Sequence, residues 1–383
     1  MGRSFLMSVI YLDYAATTRV CPEAARAALT AMTEEYGNPS SRHALGATAA
    51  DRLRKNRAIV ADRLGCTPEE LFFTSCGTEG DNWAIRAAVH FGRHSGKHII
   101  TTSVEHAAVL ETMKDLAAEG CEVTYLNPDR TGHIRVSDLE AALRPDTVLV
   151  SMMLINNETG ARFPVEEAAQ AIRRAGAPAL LHTDAVQAFC KIPFTPTGLG
   201  ADLVAVSGHK IGAPKGIGAL YIKKHLHSRF RPLLFGGGQE AGMRPGTEPT
   251  AQIAAFAAAC LAYPENTDRI KHIKDYFLDS ILAAIPDLEI VSRGDAPHIC
   301  AVSLPGYPSE MLVRALSDRG ICVSSGSACH RGKPSHVFAA LGLPKQVLTG
   351  TLRISFGPDS TRADADALIN ALVQIKSERI FVR

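Results

Sequence analysis

Short apolar runs alternate with stretches of helical spacing from about residue 20 to residue 225, and this alternation decides what the chain can fold into. The extended runs cover residues 71–74, 98–101, 148–152, 179–182, 203–206 and 219–222. Pro22 opens a helix, and helical spacing also covers residues 109–118 and 165–175. Strands alternating with helices make βαβ units and a mostly parallel, buried sheet. Such sheets bind ligands beyond the carboxyl ends of their strands. Thr78, Asn157, Asp184 and Ser207 each follow an expected strand, so one rim of the sheet should gather them.

The pattern changes after about residue 263. A helix over 267–285, strands near 288–291 and 299–304, a helix near 309–319, a strand at 352–356 and a helix from Arg362 read as a smaller α+β unit. At 383 residues the chain exceeds one core of roughly 250–300 residues. We expect a large domain over 19–262 and a small domain made of 1–18 and 263–383. Residues 235–247 are too glycine-rich for a regular element. Irregular segments of that length are usually functional.

Several function classes are disfavoured. A net charge of +2 gives no electrostatic reason to bind nucleic acid or an anionic membrane. The apolar run at 148–155 is too short to span a bilayer, and the first residues lack the core of a secretory signal. Nine cysteines, scattered without a CxxC pair, argue against a disulfide framework and a structural zinc site. We expect a reducing cytoplasm and no metal.

Ser207-Gly208-His209-Lys210 follows the apolar run at 203–206. Burying an ammonium is costly unless it is bonded or neutralised. Condensation with an aldehyde is one way to neutralise it, as in enzymes of pyridoxal 5'-phosphate (PLP), where an acidic residue pairs with the pyridinium nitrogen. Asp184, at the end of another apolar run, is the candidate acid. Ser75-Cys76-Gly77-Thr78 at a strand-to-helix junction suits a phosphate, with Ser207 and His209 as further donors; an ordinary helix cap at Thr78 suits it equally. His106 is either a ring that stacks and shuttles protons or a capping histidine. Asn157 and Gln187 are partners for a ring substituent or for backbone groups. Cys329 lies between small residues and His330-Arg331-Gly332-Lys333, whose cations favour a thiolate. Arg353 is either a carboxylate clamp or half of a structural ion pair.

Together these residues resemble a known family. Leu12-Asp13-Tyr14-Ala15-Ala16-Thr17-Thr18, Gly37-Asn38-Pro39-Ser40-Ser41, Thr78-Glu79 with Asp81-Asn82, Glu105-His106, Asn156-Asn157-Glu158-Thr159-Gly160, Asp184-Ala185-Val186-Gln187, Ser207 to Lys210, 236–247 and 324–329 are similar, in that order, to the cysteine desulfurases of the NifS/IscS type. These are class V aminotransferases, fold-type I PLP enzymes with a mostly parallel large domain and a smaller α+β domain.

The resemblance implies that Lys210 binds PLP and moves protons, that Asp184 pairs with the ring nitrogen, and that Gln187 bonds the ring hydroxyl. It implies that His106 stacks on the ring and that Gly77, Thr78, Ser207 and His209 hold the phosphate. Thr247 would reach the cofactor phosphate of the other subunit of a homodimer. Asn157 and Arg353 would position L-cysteine, and Cys329 would take its sulfur as a persulfide, leaving L-alanine. An acceptor protein would then receive the sulfur, for iron–sulfur cluster assembly or thiolation. A selenocysteine lyase acting on L-selenocysteine is the nearest alternative; an aminotransferase or C–S β-lyase is a more distant one. Only His330 to Lys333 separate Cys329 from Pro334, a shorter segment than in members dedicated to a scaffold. Cys76 has no assigned role.

Overall fold

A computed structural model describes residues 9–325 and 335–378. Cys329 lies outside the described residues. Among them the strands are β1 (Ile10–Tyr11), β2 (Leu71–Thr74), β3 (His98–Thr102), β4 (Glu122–Leu126), β5 (Thr147–Ser151), β6 (Leu180–Asp184), β7 (Leu203–Ser207), β8 (Gly218–Ile222), β9 (Glu289–Ser292), β10 (Ile299–Ser303), β11 (Ile321–Cys322) and β12 (Thr351–Ser355).

Seven strands form one sheet in the order β2-β8-β7-β6-β5-β3-β4. All neighbours are parallel except β8, which runs antiparallel to both β2 and β7. The architecture is therefore the mixed α/β, mostly parallel class that the alternation predicts. Every residue of β2, β3 and β5 to β8 is buried, as helices on both faces require. Successive side chains go to opposite faces. Leu203 and Ala205 join Phe72, Ile99 and Leu149 against helices Gly77–Gly92 and Ala107–Ala118. Val204 and Val206 join Phe73, Ile100 and Val150 against helices Ala44–Leu64, Val165–Ala175 and Thr250–Ala262. Burial of each Leu, Val, Ile or Phe is worth about 1.5–3 kcal/mol before entropy is counted. Helix Gly77–Gly92 lies close on β7, because a Cβ on Gly80 would come within 3.2 Å of the Ala205 Cβ.

A second buried cluster lies under an antiparallel sheet of order β12-β10-β9, covered by helices Asp268–Ala284 and Arg362–Ser377. The start of the chain belongs to it. β1 pairs in parallel with β11, Leu12 is in that cluster, and Asp13 bridges Ser355. Immediately afterwards the chain crosses to the large sheet, where Thr18 N and Oγ1 both donate to the His209 carbonyl at 3.0 and 2.9 Å. That crossing brings residues 15–18 against Lys210. No helix among the described residues is long and apolar enough to cross a membrane.

Candidate active site

The carboxyl ends of β2, β5, β6 and β7 open on one side of the sheet. At the end of β2 the chain turns into helix Gly77–Gly92, with Cys76 as an extended N-cap whose side chain makes no capping bond. The first amides of this helix are thus left for another acceptor, and the helix dipole favours an anion there. Thr78 is exposed and inside the first turn, so the ordinary-cap alternative is not realised. A Cβ on Gly77 would come within 2.8 Å of Val186 Cγ2 and 3.7 Å of the Ser207 Cβ. Ser207 is buried beside it, and its hydroxyl has no partner among the described residues. His209 is held by Thr17, whose hydroxyl lies 3.1 Å from Nδ1. Burial and the nearby Lys210 push the His209 pKa down to about 4. A neutral ring accepting from Thr17 at Nδ1 carries its proton on Nε2, where it can donate.

Asp184 ends β6, with one carboxyl oxygen accepting from Val186 N at 2.8 Å. Burial raises its pKa, and the neighbouring His106 and Lys210 counter the rise. His106 caps helix Ala107–Ala118 through Nδ1, 3.2 Å from Ala108 N, while its ring stays exposed. The capping reading of His106 is thus realised, and the cap fixes the orientation of the ring. Burial of its polar edge lowers its pKa.

Polar atoms of His106, Asp184 and Asp81 lie within 4.8 Å of one another. Asp81 is 1% exposed, and burial beside Asp184 and Glu105 raises its pKa well above the ordinary. His182, 3.5 Å from Asp81, is pushed by burial to a pKa of about 3.

Lys210 follows β7, and its Nζ donates to the carbonyls of Ala15 and Ala16, both at 2.7 Å. Burial, then Arg353, lowers its pKa to about 8, against the pull of Asp184 and Asp13. Gln187 Nε2 donates to the same Ala15 carbonyl at 2.9 Å. Arg353, on β12, is 4% exposed. Its Nη2 donates to Asp13 Oδ1 at 2.8 Å and its Nη1 to the Asn157 carbonyl at 2.9 Å, while Nε has no partner among the described residues. The ion-pair reading of Arg353 is thus realised with one nitrogen left over. The Asn157 side-chain oxygen is also unpartnered.

Thr247 stands apart. It is exposed, and among the described residues no hydrogen bond joins it to the rim. Its loop is pinned elsewhere. Glu240 forms a buried ion pair with Arg57 and accepts from Phe73 N at 2.8 Å; Arg244 donates to Glu79 at 2.9 Å, and Glu79 accepts from Ser75 N at 2.8 Å. Asp81, Lys191 and His298 are site neighbours to which sequence reasoning gives no role. Lys191 is 3% exposed, has an unpartnered Nζ, and is pushed to a pKa of about 7 by burial and Lys210.

The residues present fit PLP. The Gly77 cradle, the uncapped helix start and the orphaned Ser207 hydroxyl suit its phosphate; a buried carboxyl suits its ring nitrogen; a lysine neutral near pH 8 suits its aldehyde.

Comparison with known proteins agrees. Residues 10–368 match the family model described as aminotransferase class-V. A cysteine desulfurase of Trichormus azollae is 44% identical over 379 residues, covering 96% of this chain and 93% of that protein. Among solved structures, a NifS-like protein superposes with a TM-score of 0.89 at 35% identity, covering 97% of this chain and 100% of its own. The structure of SspA in complex with cysteine gives 0.81 at 34% identity, covering 92% and 99%.

Proposed function

The chain belongs to the class-V aminotransferase family and is a PLP-dependent cysteine desulfurase, and we propose a division of labour among its residues. The observation that carries it is the convergence of His106, Asp184, Gln187, Lys210 and Arg353 on one site, reached from four separate stretches of sequence. Gly77, Thr78, Ser207 and His209 hold the phosphate, Asp184 the ring nitrogen and Gln187 the ring hydroxyl. Bound PLP supplies an electron sink that loosens the bonds at the substrate's α-carbon.

L-Cysteine is the substrate. Arg353, oriented by Asp13, binds its carboxylate, with Asn157 beside it. The Lys210 amine takes the Cα proton; a base of pKa about 8 is suited to neutral and mildly alkaline pH. His106, with its proton on Nε2, assists transfers at the thiol. The Cys329 thiolate attacks the substrate sulfur. An S–S bond forms as the C–S bond breaks, and the carbon fragment takes up a proton and leaves as L-alanine. L-Cysteine and the Cys329 thiol thus become L-alanine and a Cys329 persulfide. The anchors flanking residues 326–334 support this role. Arg353 N donates to the Ser324 carbonyl at 2.7 Å, and His336 Nε2 lies 3.1 Å from the carbonyl of Glu105, next to His106.

The same proposal includes a homodimer. Thr247 serves the partner's cofactor phosphate, which accounts for its place off its own rim. Leu234 and Phe235, 52% and 73% exposed at the start of that loop, supply apolar surface to cover. It also includes an acceptor protein that receives the persulfide sulfur, and a cytoplasmic setting, supported by eight free cysteines among the described residues.

L-Cysteine given to the PLP-loaded protein with a thiol reductant should yield L-alanine and sulfide in equal amounts. Pyruvate in place of alanine would overturn the reading. Covalent loading of the apoprotein by PLP should quicken with rising pH and level off above about pH 8, because the neutral amine is the nucleophile. A plateau only near the pKa of a solvated lysine, about 10.4, would contradict the buried setting of Lys210. Asp13→Asn removes the anion that orients Arg353. It should raise KM for L-cysteine by roughly tenfold, with a smaller change in kcat, in steady-state assays.

A further inference from the structure

Gln187 has to point one way for the proposed site to work, and the structure holds a device that sets its direction. Its Nε2 donates to the Ala15 carbonyl at 2.9 Å, and its Oε1 lies 3.3 Å from Nε2 of His298. A backbone carbonyl only accepts, so the amide nitrogen faces Ala15 and the amide oxygen faces His298. The His298 nitrogen that meets this oxygen must then carry the proton.

His298 is 1% exposed and immediately precedes β10. Its own carbonyl accepts from Phe356 N at 2.9 Å, which fixes its backbone between β10 and the end of β12. Burial and the cations of Lys191, Lys274, Arg353 and Lys210 drive its pKa well below the usual value, so the ring is neutral and has a single donor. The other ring nitrogen, Nδ1, has no partner among the described residues. Sequence reasoning assigns His298 nothing, and none of the steps above uses it.

We propose that His298 is a positioning residue whose Nε2–H locks the Gln187 carboxamide, nitrogen toward Ala15 and Lys210, and so holds the donor that meets the ring hydroxyl of PLP. A flipped amide would set its oxygen against the Ala15 carbonyl and would offer the ring hydroxyl an acceptor in place of a donor. The Ala15 contact resists that flip on one side and His298 resists it on the other. The inference rests on the reading that Gln187 serves PLP.

The test uses His298→Phe, which keeps a ring but removes the donor, with His298→Leu as a second donor-free variant should the first fail to fold. His298→Gln keeps a donor. The readouts are the position of the visible band of the PLP-loaded protein, the Kd of the apoprotein for PLP, and the apoprotein's melting temperature. Leaving a buried acceptor unpaired should weaken PLP binding by about 5- to 150-fold and shift the band, and His298→Gln should recover most of both. In a Gln187→Ala background the donor-free change should have no further effect on band or affinity. The inference is overturned if the donor-free variants leave both unmoved, or move them equally in both backgrounds. A wild-type apoprotein that gains no visible band with PLP would overturn the site reading itself, and this inference with it.

Discussion

Lys210→Ala should abolish the visible band that the protein gains on binding PLP and lower kcat/KM for L-cysteine by roughly 10³-fold or more. Two losses combine. In the proposed mechanism the amine is both the covalent attachment point and the base at the substrate's α-carbon; positioned acid–base groups alone are worth about 10²–10⁴-fold. The fold should survive. The Ala15 carbonyl keeps its bond from Gln187, and only the Ala16 carbonyl loses its one side-chain donor. The sign of the electrostatic effect also favours the variant. Lys210 has a folded pKa of about 8 against an ordinary value of 10.5, so its buried ammonium opposes folding in full below about pH 8. That penalty fades as pH rises from about 8 through the ordinary value. The apoprotein of Lys210→Ala should therefore melt no lower than wild type at pH 7, and any advantage should shrink toward pH 10. Retention of the band would remove Lys210 from its role. A collapse in melting temperature would mean that the lysine is structural.

Cys329→Ser should lose essentially all desulfurisation of L-cysteine while keeping the visible band, the affinity for PLP and the melting temperature. The proposed cofactor ligands are Lys210, Asp184, Gln187 and the cradle at Gly77, and the proposal does not count Cys329 among them. A serine hydroxyl does not accept sulfur at neutral pH, so turnover stops with the substrate bound. L-Selenocysteine separates two readings, because a selenolate leaves more readily than a thiolate. The desulfurase reading expects wild type to process L-cysteine with Cys329 required. A variant that still releases alanine from L-cysteine at the wild-type rate would favour a lyase that ejects the chalcogen without a protein thiol.

Much of this was legible in the chain because the relevant residues are local. β2, β3 and β5 to β8 are wholly buried, so each carries a short run of apolar residues that marks it in the sequence. Asp184 and Ser207 end β6 and β7 and Asn157 follows β5, where a parallel sheet collects ligands whatever the details. β4 escapes that reading because it is an edge strand, with Glu122 and Tyr125 exposed. Helix Thr250–Ala262 escapes it for the opposite reason: buried on several sides, it has no polar stripe to mark a period. β1 and β11 have two residues each and exist only through each other.

The site divides in the same way. Lys210 and Asp184 stand in recognisable strand-end contexts. The role of Asp13 depends on Arg353, 340 residues away, and that of His298 on Gln187, 111 residues away. Asp81 carries a raised pKa because the fold buries it and then sets Asp184 and Glu105 beside it. A polar side chain becomes informative once its burial is known, and burial of this kind is tertiary.

The most direct test of the central claim is mass spectrometry of the PLP-loaded protein after a single turnover of L-cysteine, with peptide mapping and alanine counted in the same sample. The account predicts one added sulfur on the peptide containing Cys329 and one L-alanine per active site. Alanine formed while that peptide stays unmodified, or keto acid formed in its place, would contradict it.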